Sequence, residues 1–218
     1  MVSEKVLIID KLQVLTSSQA LFPAVSMQLV AGQLITVMGP SGCGKSIFLG
    51  AIAGSLASDL KVRGDLYLQG KKLNNLQLHQ REIAIAYQQD LLFPHINVEG
   101  NLLFALPKGD SKQRQEVVQK ALHSADLDGF GKSDISILSG GQKARVSILR
   151  SLLSQPKLLL LDEPFSKLDE QLRHDFRSFV YRQIKAMNIP AILVTHDKQD
   201  CNSAEFYALQ SGKFMKRG

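Results

Sequence analysis

Three short stretches carry the residue types that can do chemistry. GPSGCGKS, Gly39 to Ser46, is rich in glycine and ends in a lysine and a serine. Successive backbone N–H groups of such a loop can curl around phosphate oxygens, and glycines at 39, 42 and 44 permit positive φ and close approach. Pro40, Ser41 and Cys43 fill the positions between them, Cys43 where a small side chain is wanted. The pattern places Lys45 to reach β- and γ-phosphates and Ser46 to hold Mg²⁺. LLLLDEP, Leu158 to Pro164, sets Asp162 and Glu163 at the end of an apolar run. Asp162 there can orient Mg²⁺ through water, and Glu163 can take the proton of an attacking water. LSGGQ, Leu138 to Gln142, offers Ser139 as a helix cap followed by Gly140, Gly141 and Gln142. A helix N-terminus with two glycines exposes N–H groups that attract an anion. Taken singly, a glycine-rich turn, a carboxylate pair opening a loop and an ordinary capped helix would also explain these stretches.

The surrounding sequence supplies the elements that must position them. Leu34 to Met38 reads as a strand entering the glycine loop, and Lys45 to Ala53 as a helix leaving it, stopped by Gly54. Val6 to Ile9 reads as a strand, Met27 to Met38 as strand, turn at Ala31-Gly32 and strand, and Asp65 to Leu73 as a hairpin turning at Gly70. In the middle, Asp110 or Ser111 caps a helix carrying Val117, Val118, Ala121, Leu122 and Ala125, ended by Gly129. A second helix runs from near Ser139 to about Leu153, with Ile148, Leu149 and Leu152 inward and Gln155-Pro156 closing it. The last third returns to strand (Leu158 to Leu161), long helix (Leu168 to Met187) and strand (Ala191 to Thr195). Strands alternating with helices indicate a mostly parallel sheet, with Asp162 and Glu163 at its C-terminal edge, where ligands of open α/β sheets bind.

Composition narrows the class. The chain has 218 residues, 44% hydrophobic and 21% charged, enough for one sizeable core. There is no apolar run near the ~20 residues that a membrane helix needs. MVSEKVLIID lacks the layout of a secretion signal, so the expectation is a cytosolic protein or one attached to a membrane through a partner. The net charge of +6 is dispersed, with Lys71-Lys72 and Lys216-Arg217 the only tight pairs, and no nucleic-acid module is recognisable. Cys43 and Cys201 form no CxxC spacing and suit a reducing compartment.

Together, in this order, the three stretches resemble the ATP-binding subunit of an ABC transporter, and the resemblance covers nearly the whole chain. It implies a P-loop NTPase of the α/β class: a RecA-like core (residues 1–88 and 151–218) with an antiparallel β subdomain and a helical insertion (89–150), in a single ATPase domain over 1–218. It implies ATP and Mg²⁺ as cofactors. AYQQDLLFPHINVEGN, Ala86 to Asn101, is similar to the segment joining core and insertion in this family. The resemblance puts the family's glutamine, which touches metal or water, on Gln88, and a surface receiving a short helix of the membrane subunit on Phe93, Pro94 and His95. His196, in ILVTHD, matches the switch histidine that contacts the γ-phosphate. Ser139 to Gln142 would bind the γ-phosphate held by a second copy, giving a homodimer in the ATP-bound state.

Departures from the family are few. Ile47 stands where a threonine usually touches the α-phosphate, which predicts weaker nucleotide binding by about one hydrogen bond, on the order of 1 kcal/mol. Lys143 is a basic variant of the position after LSGGQ. Lys167 replaces the small residue of the SALD loop in SKLD, Ser166 to Asp169. No aromatic occupies Leu12 to Leu15 to stack on adenine; Phe22 is the nearest, and Leu15 offers an aliphatic rest. Gln199 to Tyr207 departs from the family's acidic-alanine helix. LFPH followed by NVEGNLLFAL is similar to importer ATPases of the thiamine, ferric-ion, sulfate, molybdate and polyamine group, and the expectation is a short form lacking the C-terminal regulatory domain some of them carry. That implies a separate integral membrane permease, a periplasmic substrate-binding protein and a place on the inner face of the cell membrane. Export of lipid, lipoprotein or drug, a soluble ATPase of repair or translation and a P-loop small-molecule kinase are the alternatives. The kinase leaves LSGGQ unexplained.

Overall fold

The structure is a computed structural model that describes residues 5–201, 206–210 and 213–217. The chain divides into two compact units. The first comprises residues 1–85, 157–163 and 183–218, and the second residues 86–156 and 164–182.

Two sheets build the first unit. β1 (Lys5–Leu15), β2 (Val25–Val30), β4 (Lys61–Leu68) and the two-residue β5 (Lys71–Lys72) form an antiparallel sheet in the order β2-β1-β4-β5. Strict alternation puts Val25, Met27 and Leu29 of β2 inward. β1 runs six residues past the expected Ile9. A bulge at Lys11, whose φ is +51°, breaks the alternation that sequence reading relies on while the pairing resumes beyond it.

The second sheet joins β3 (Leu34–Met38), β6 (Ile83–Ala86), β7 (Leu158–Asp162), β8 (Ala191–Thr195), β9 (Phe206–Gln210) and β10 (Lys213–Arg217) in the order β10-β9-β3-β8-β7-β6. β9, β3, β8 and β7 run parallel, and β10 turns back antiparallel. β8 is buried along its whole length, as expected for strands covered on both faces. Helix α1 (Lys45–Ala53) lies between β3 and β4 in the chain and has the predicted bounds, with Gly54 closing it at φ +82°. Phe48, Leu49 and Ile52 of α1 join Leu7, Ile9, Val37, Leu160, Ile192 and Leu209 in one buried cluster. Phe22 is buried there too, edge-on to Phe48.

The second unit is helical. α2 (Val98–Ala105), α3 (Ser111–Ser124) and α4 (Gly140–Leu153) pack on one another. Asp110 caps α3 by accepting the Gln113 N–H. α3 stops at Ser124, five residues before Gly129, which instead heads a 3-10 turn over Phe130–Lys132. α2 was not expected from the sequence. It is capped by Asn97, and its Asn101, fully buried, bonds the carbonyls of Phe93, Ile96 and Asn97 and accepts the Phe93 N–H. The last helix, α5 (Glu170–Met187), begins two residues later than Leu168 because Asp169 caps it through the Leu172 N–H. After β8 a 3-10 turn covers Lys198–Asp200; the expectation about a last helix falls largely on residues 202–205, outside the described residues. Among the described residues no helix is long and apolar enough to cross a membrane.

Candidate functional site

The glycine loop springs from β3, and the pairing with β8 continues one residue into it, with the Gly39 N–H donating to Thr195 O at 3.2 Å. No larger residue fits at position 39, because a Cβ there would collide with the Leu209 carbonyl. Gly44 enters α1 at φ +103° and supplies no side-chain cap, and the first turn holds no acidic residue. The positive end of α1 is therefore left for an outside anion. Pro40, Ser41 and Gly42 are exposed, Cys43 is half-buried, and Ile47 is half-buried against the core.

Lys45 is 4% exposed. Its Nζ folds back over the loop, donating to Gly39 O at 2.9 Å and Pro40 O at 3.0 Å, and lies 3.1 Å from Glu163 Oε1. A buried ammonium needs such oxygens around it. Each can be exchanged for a phosphate oxygen when nucleotide enters.

β7 delivers the two acids. Asp162 Oδ1 accepts the Ser46 hydroxyl at 3.2 Å. Burial raises the Asp162 carboxyl above its usual range; the Ser46 hydrogen bond and Lys45 pull it down, and the negative Glu163 pushes it up again. Glu163 sits in the left-handed region at φ +47°, a conformation that costs a non-glycine residue about 1–2 kcal/mol. Its N–H is held by Val194 O at 3.0 Å. Backbone outliers of this kind cluster at functional sites. Glu163 Oε2 accepts from His196 Nδ1 at 3.0 Å, and the His196 ring is half exposed.

Lys45, Ser46, Asp162, Glu163 and His196 thus meet within direct hydrogen-bond or ion-pair reach. Ser46 and Asp162 present a hydroxyl and a carboxylate side by side, hard oxygen donors that suit Mg²⁺ completed by water and phosphate. A cleft of about 490 Å³ opens beside them, lined by Met38, Gly39, Pro40, His196, Lys198, Phe206 and Ala208.

The other sequence-predicted residues belong to the second unit. Gln88 is exposed, and its Nε2 donates to Ser166 Oγ at 2.9 Å, tying it to the SKLD loop. Ser139 caps α4 in a reciprocal box: the Gln142 N–H donates to Ser139 Oγ at 3.3 Å and the Ser139 N–H to Gln142 Oε1 at 2.9 Å. Gly141 is buried against Leu172, whereas Gly140 faces open space. Gln142 is therefore spent on holding the helix start, leaving Ser139 and Gly140 as its exposed face.

Sequence reasoning missed Thr195, buried at the end of β8, and Asp200, buried in the 3-10 turn that follows His196. A threonine ending an apolar strand reads as part of that strand, and no periodic signal marks Asp200 as buried.

The profile of the family described as "ABC transporter" matches residues 22–166, a span holding the glycine loop, LSGGQ and both acids. The chain is also 47% identical over 172 residues to an uncharacterized ABC transporter ATP-binding protein, YnjD, of Escherichia coli (strain K12), covering 78% of each. This chain belongs to the ABC transporter ATP-binding family. Among solved structures, MJ1267, an ATP-binding cassette of an ABC transporter in its ADP conformation, superposes with a TM-score of 0.83 over 99% of this chain and 92% of that one. At 24% identity that likeness establishes the fold, a P-loop NTPase cassette. As an ABC cassette the chain binds ATP and is an ATPase whose hydrolysis energises transport.

Proposed function

We propose that this ABC ATPase drives solute import through a separate membrane permease, working as a pair of copies that close on ATP. In this reading residues 1–218 form one ATPase domain with a helical part over 89–150, and it docks on the inner face of the cell membrane. The observation that carries the reading is the run of contacts Lys45–Glu163–His196, which joins a phosphate ligand, a base and a switch residue.

Lys45 exchanges its contact with Glu163 for the β- and γ-phosphates, and the loop N–H groups with the positive end of α1 take the rest of the charge. Ser46 and Asp162 would hold Mg²⁺, which would supply charge neutralisation at the phosphates. Glu163, freed from Lys45, accepts the proton of the attacking water, with His196 holding its second oxygen in place. The work of the site is positioning and electrostatics. Ser139 and Gly140 of one copy face the γ-phosphate held by the other, so two-fold symmetry makes two such sites.

The second unit supports a membrane partner. Phe93 stacks edge-on against Phe104 with ring centroids 4.9 Å apart, and the Arg150 guanidinium lies over Phe93 at 5.2 Å. Phe104 is nonetheless 71% exposed and Leu91 55% exposed. Large apolar side chains held out in this way suit a docking helix. Import rather than export rests on the likeness of LFPH and NVEGN to importer ATPases, where a periplasmic binding protein delivers the solute.

The test is isolation of the complex from native membranes with tagged chain. A co-purifying permease whose solute-binding protein raises ATP hydrolysis supports the proposal. A permease-free chain that pairs with nothing under ATP, or a partner that only expels substrate, refutes it.

A further inference from the structure

We propose that Thr195 and Asp200 are positioning residues for His196, their buried hydrogen bond fixing the turn that aims the imidazole at Glu163. β8 ends at Thr195, and the chain must leave the sheet at once to present His196 at its edge. Thr195 Oγ1 donates to Asp200 Oδ2 at 2.6 Å and accepts the Asp197 N–H at 3.0 Å. The Thr195 carbonyl takes the Gly39 N–H, so one residue connects the turn to the mouth of the phosphate loop. Asp197 Oδ1 accepts the Gln199 N–H at 2.9 Å and closes the 3-10 turn that brings Asp200 back.

Thr195 is 2% exposed and Asp200 4% exposed. A carboxylate is rarely buried at a surface turn unless its hydrogen bonds define the turn. Cys201, the next residue, sets its thiol 3.1 Å from Met38 Sδ, directly before Gly39. Burial raises the Cys201 thiol, and the negative charges of Asp200 and Asp197 raise it further. His196 itself is half exposed. A ring not held by surrounding packing takes its direction from its backbone, and here the backbone is set by the Thr195–Asp200 bond.

The inference rests on the role proposed for His196, so the experiment separates the two. ATP hydrolysis and binding of a fluorescent ATP analogue are measured on the full chain for Thr195→Val, Thr195→Ser, Asp200→Asn, His196→Ala and the double variant Thr195→Val/His196→Ala. Thr195→Val, which keeps the volume, is expected to lower kcat about tenfold with KM within about twofold, as for a misplaced catalytic group. Thr195→Ser restores the rate, and Asp200→Asn lowers kcat in the same direction. In the His196→Ala background Thr195→Val adds nothing, the mark of action through one residue. Unchanged kcat in both Thr195→Val and Asp200→Asn overturns the proposal. So do losses that add in the double variant, or a fall in kcat that serine does not rescue and that follows a matching loss of nucleotide binding. A fully active His196→Ala overturns the role of His196 first and this proposal with it.

Discussion

Lys45 Nζ lies 3.1 Å from Glu163 Oε1, so the phosphate-loop lysine and the proposed base are each other's counter-charge. Both are largely withdrawn from water, with side chains 4% and 18% exposed. The contact occupies Lys45 at the atom a phosphate would use and occupies Glu163 at one of the two oxygens a water could reach.

Glu163→Gln follows directly. The amide keeps the shape, loses the proton acceptor and weakens the hold on Lys45. We expect ATP hydrolysis to fall by at least about 10²-fold, the usual worth of a positioned base. ATP should still bind and trap a nucleotide-bound pair of copies. Without nucleotide the variant should melt lower, because a buried cation loses its partner at a cost on the order of 1–3 kcal/mol. Added ATP should then raise its melting temperature by more than it raises the wild type's. Wild-type turnover in the variant would remove Glu163 from the mechanism.

Ile47→Thr tests the missing α-phosphate contact. The structure adds a cost to that change, since Ile47 packs half-buried against the core that contains Phe48 and Leu49. The threonine should bind ATP about fivefold tighter, the value of one hydrogen bond of ~1 kcal/mol. The apo protein should melt about 2–4 °C lower through about 1 kcal/mol of lost packing. Calorimetric titration and a melting curve read the two effects separately, and equal affinities with the same melting loss would show that the hydroxyl has nothing to reach.

The sequence was most legible where the backbone itself is constrained. Lys45–Ala53 is bounded by Gly44 and Gly54, both at positive φ, and its limits were read to the residue. Leu158–Asp162 and Ala191–Thr195 are buried throughout or nearly so and read as continuous apolar runs. Lys45, Ser46, Asp162, Glu163 and His196 were each expected, and the structure draws them together. Buried polar groups leave no comparable pattern in the sequence. α2 contains Gly100 and the buried Glu99 and Asn101, and its amide cross-links are invisible to a hydrophobic pattern. β1 was cut short at the Lys11 bulge. Thr195 and Asp200 escaped because a hydrogen bond in a buried turn leaves no periodic trace.

Arg81 is another such residue. It is 7% exposed, and its Nη1 donates to Ala51 O and Ile52 O at the negative end of α1 while its Nε donates to Leu76 O. A Cβ at Gly54 would stand 2.6 Å from the guanidinium, so the helix stop and the arginine fit each other. Arg81→Ala leaves helix-end carbonyls buried without donors. We expect a loss of about 3 kcal/mol, or roughly 6–12 °C in melting temperature. Arg81→Lys should recover only part, because an ammonium cannot reproduce the planar fork. A neutral Arg81→Ala would show that water replaces the guanidinium without cost.

Asp90 makes the pH dependence testable. Burial raises its carboxyl above the ordinary 3.8, against the opposing pull of Lys167, Lys143 and Arg150. The folded chain therefore holds this proton more tightly than the unfolded chain does. Its contribution to stability is present below the ordinary value and is lost as pH rises through the raised one, so at neutral pH the ionised group is a net cost. Asp90→Asn removes that cost while leaving the Asp90 carbonyl to its donors Ser147 and Arg150. The variant should melt about 1–3 °C higher than wild type near neutral pH. The advantage should shrink steadily as pH falls through the raised value, where the wild-type carboxyl regains its proton. Melting curves across that range decide it. An advantage that is constant with pH, or a variant that is less stable at neutral pH, would show that attraction to the three cations outweighs burial at Asp90.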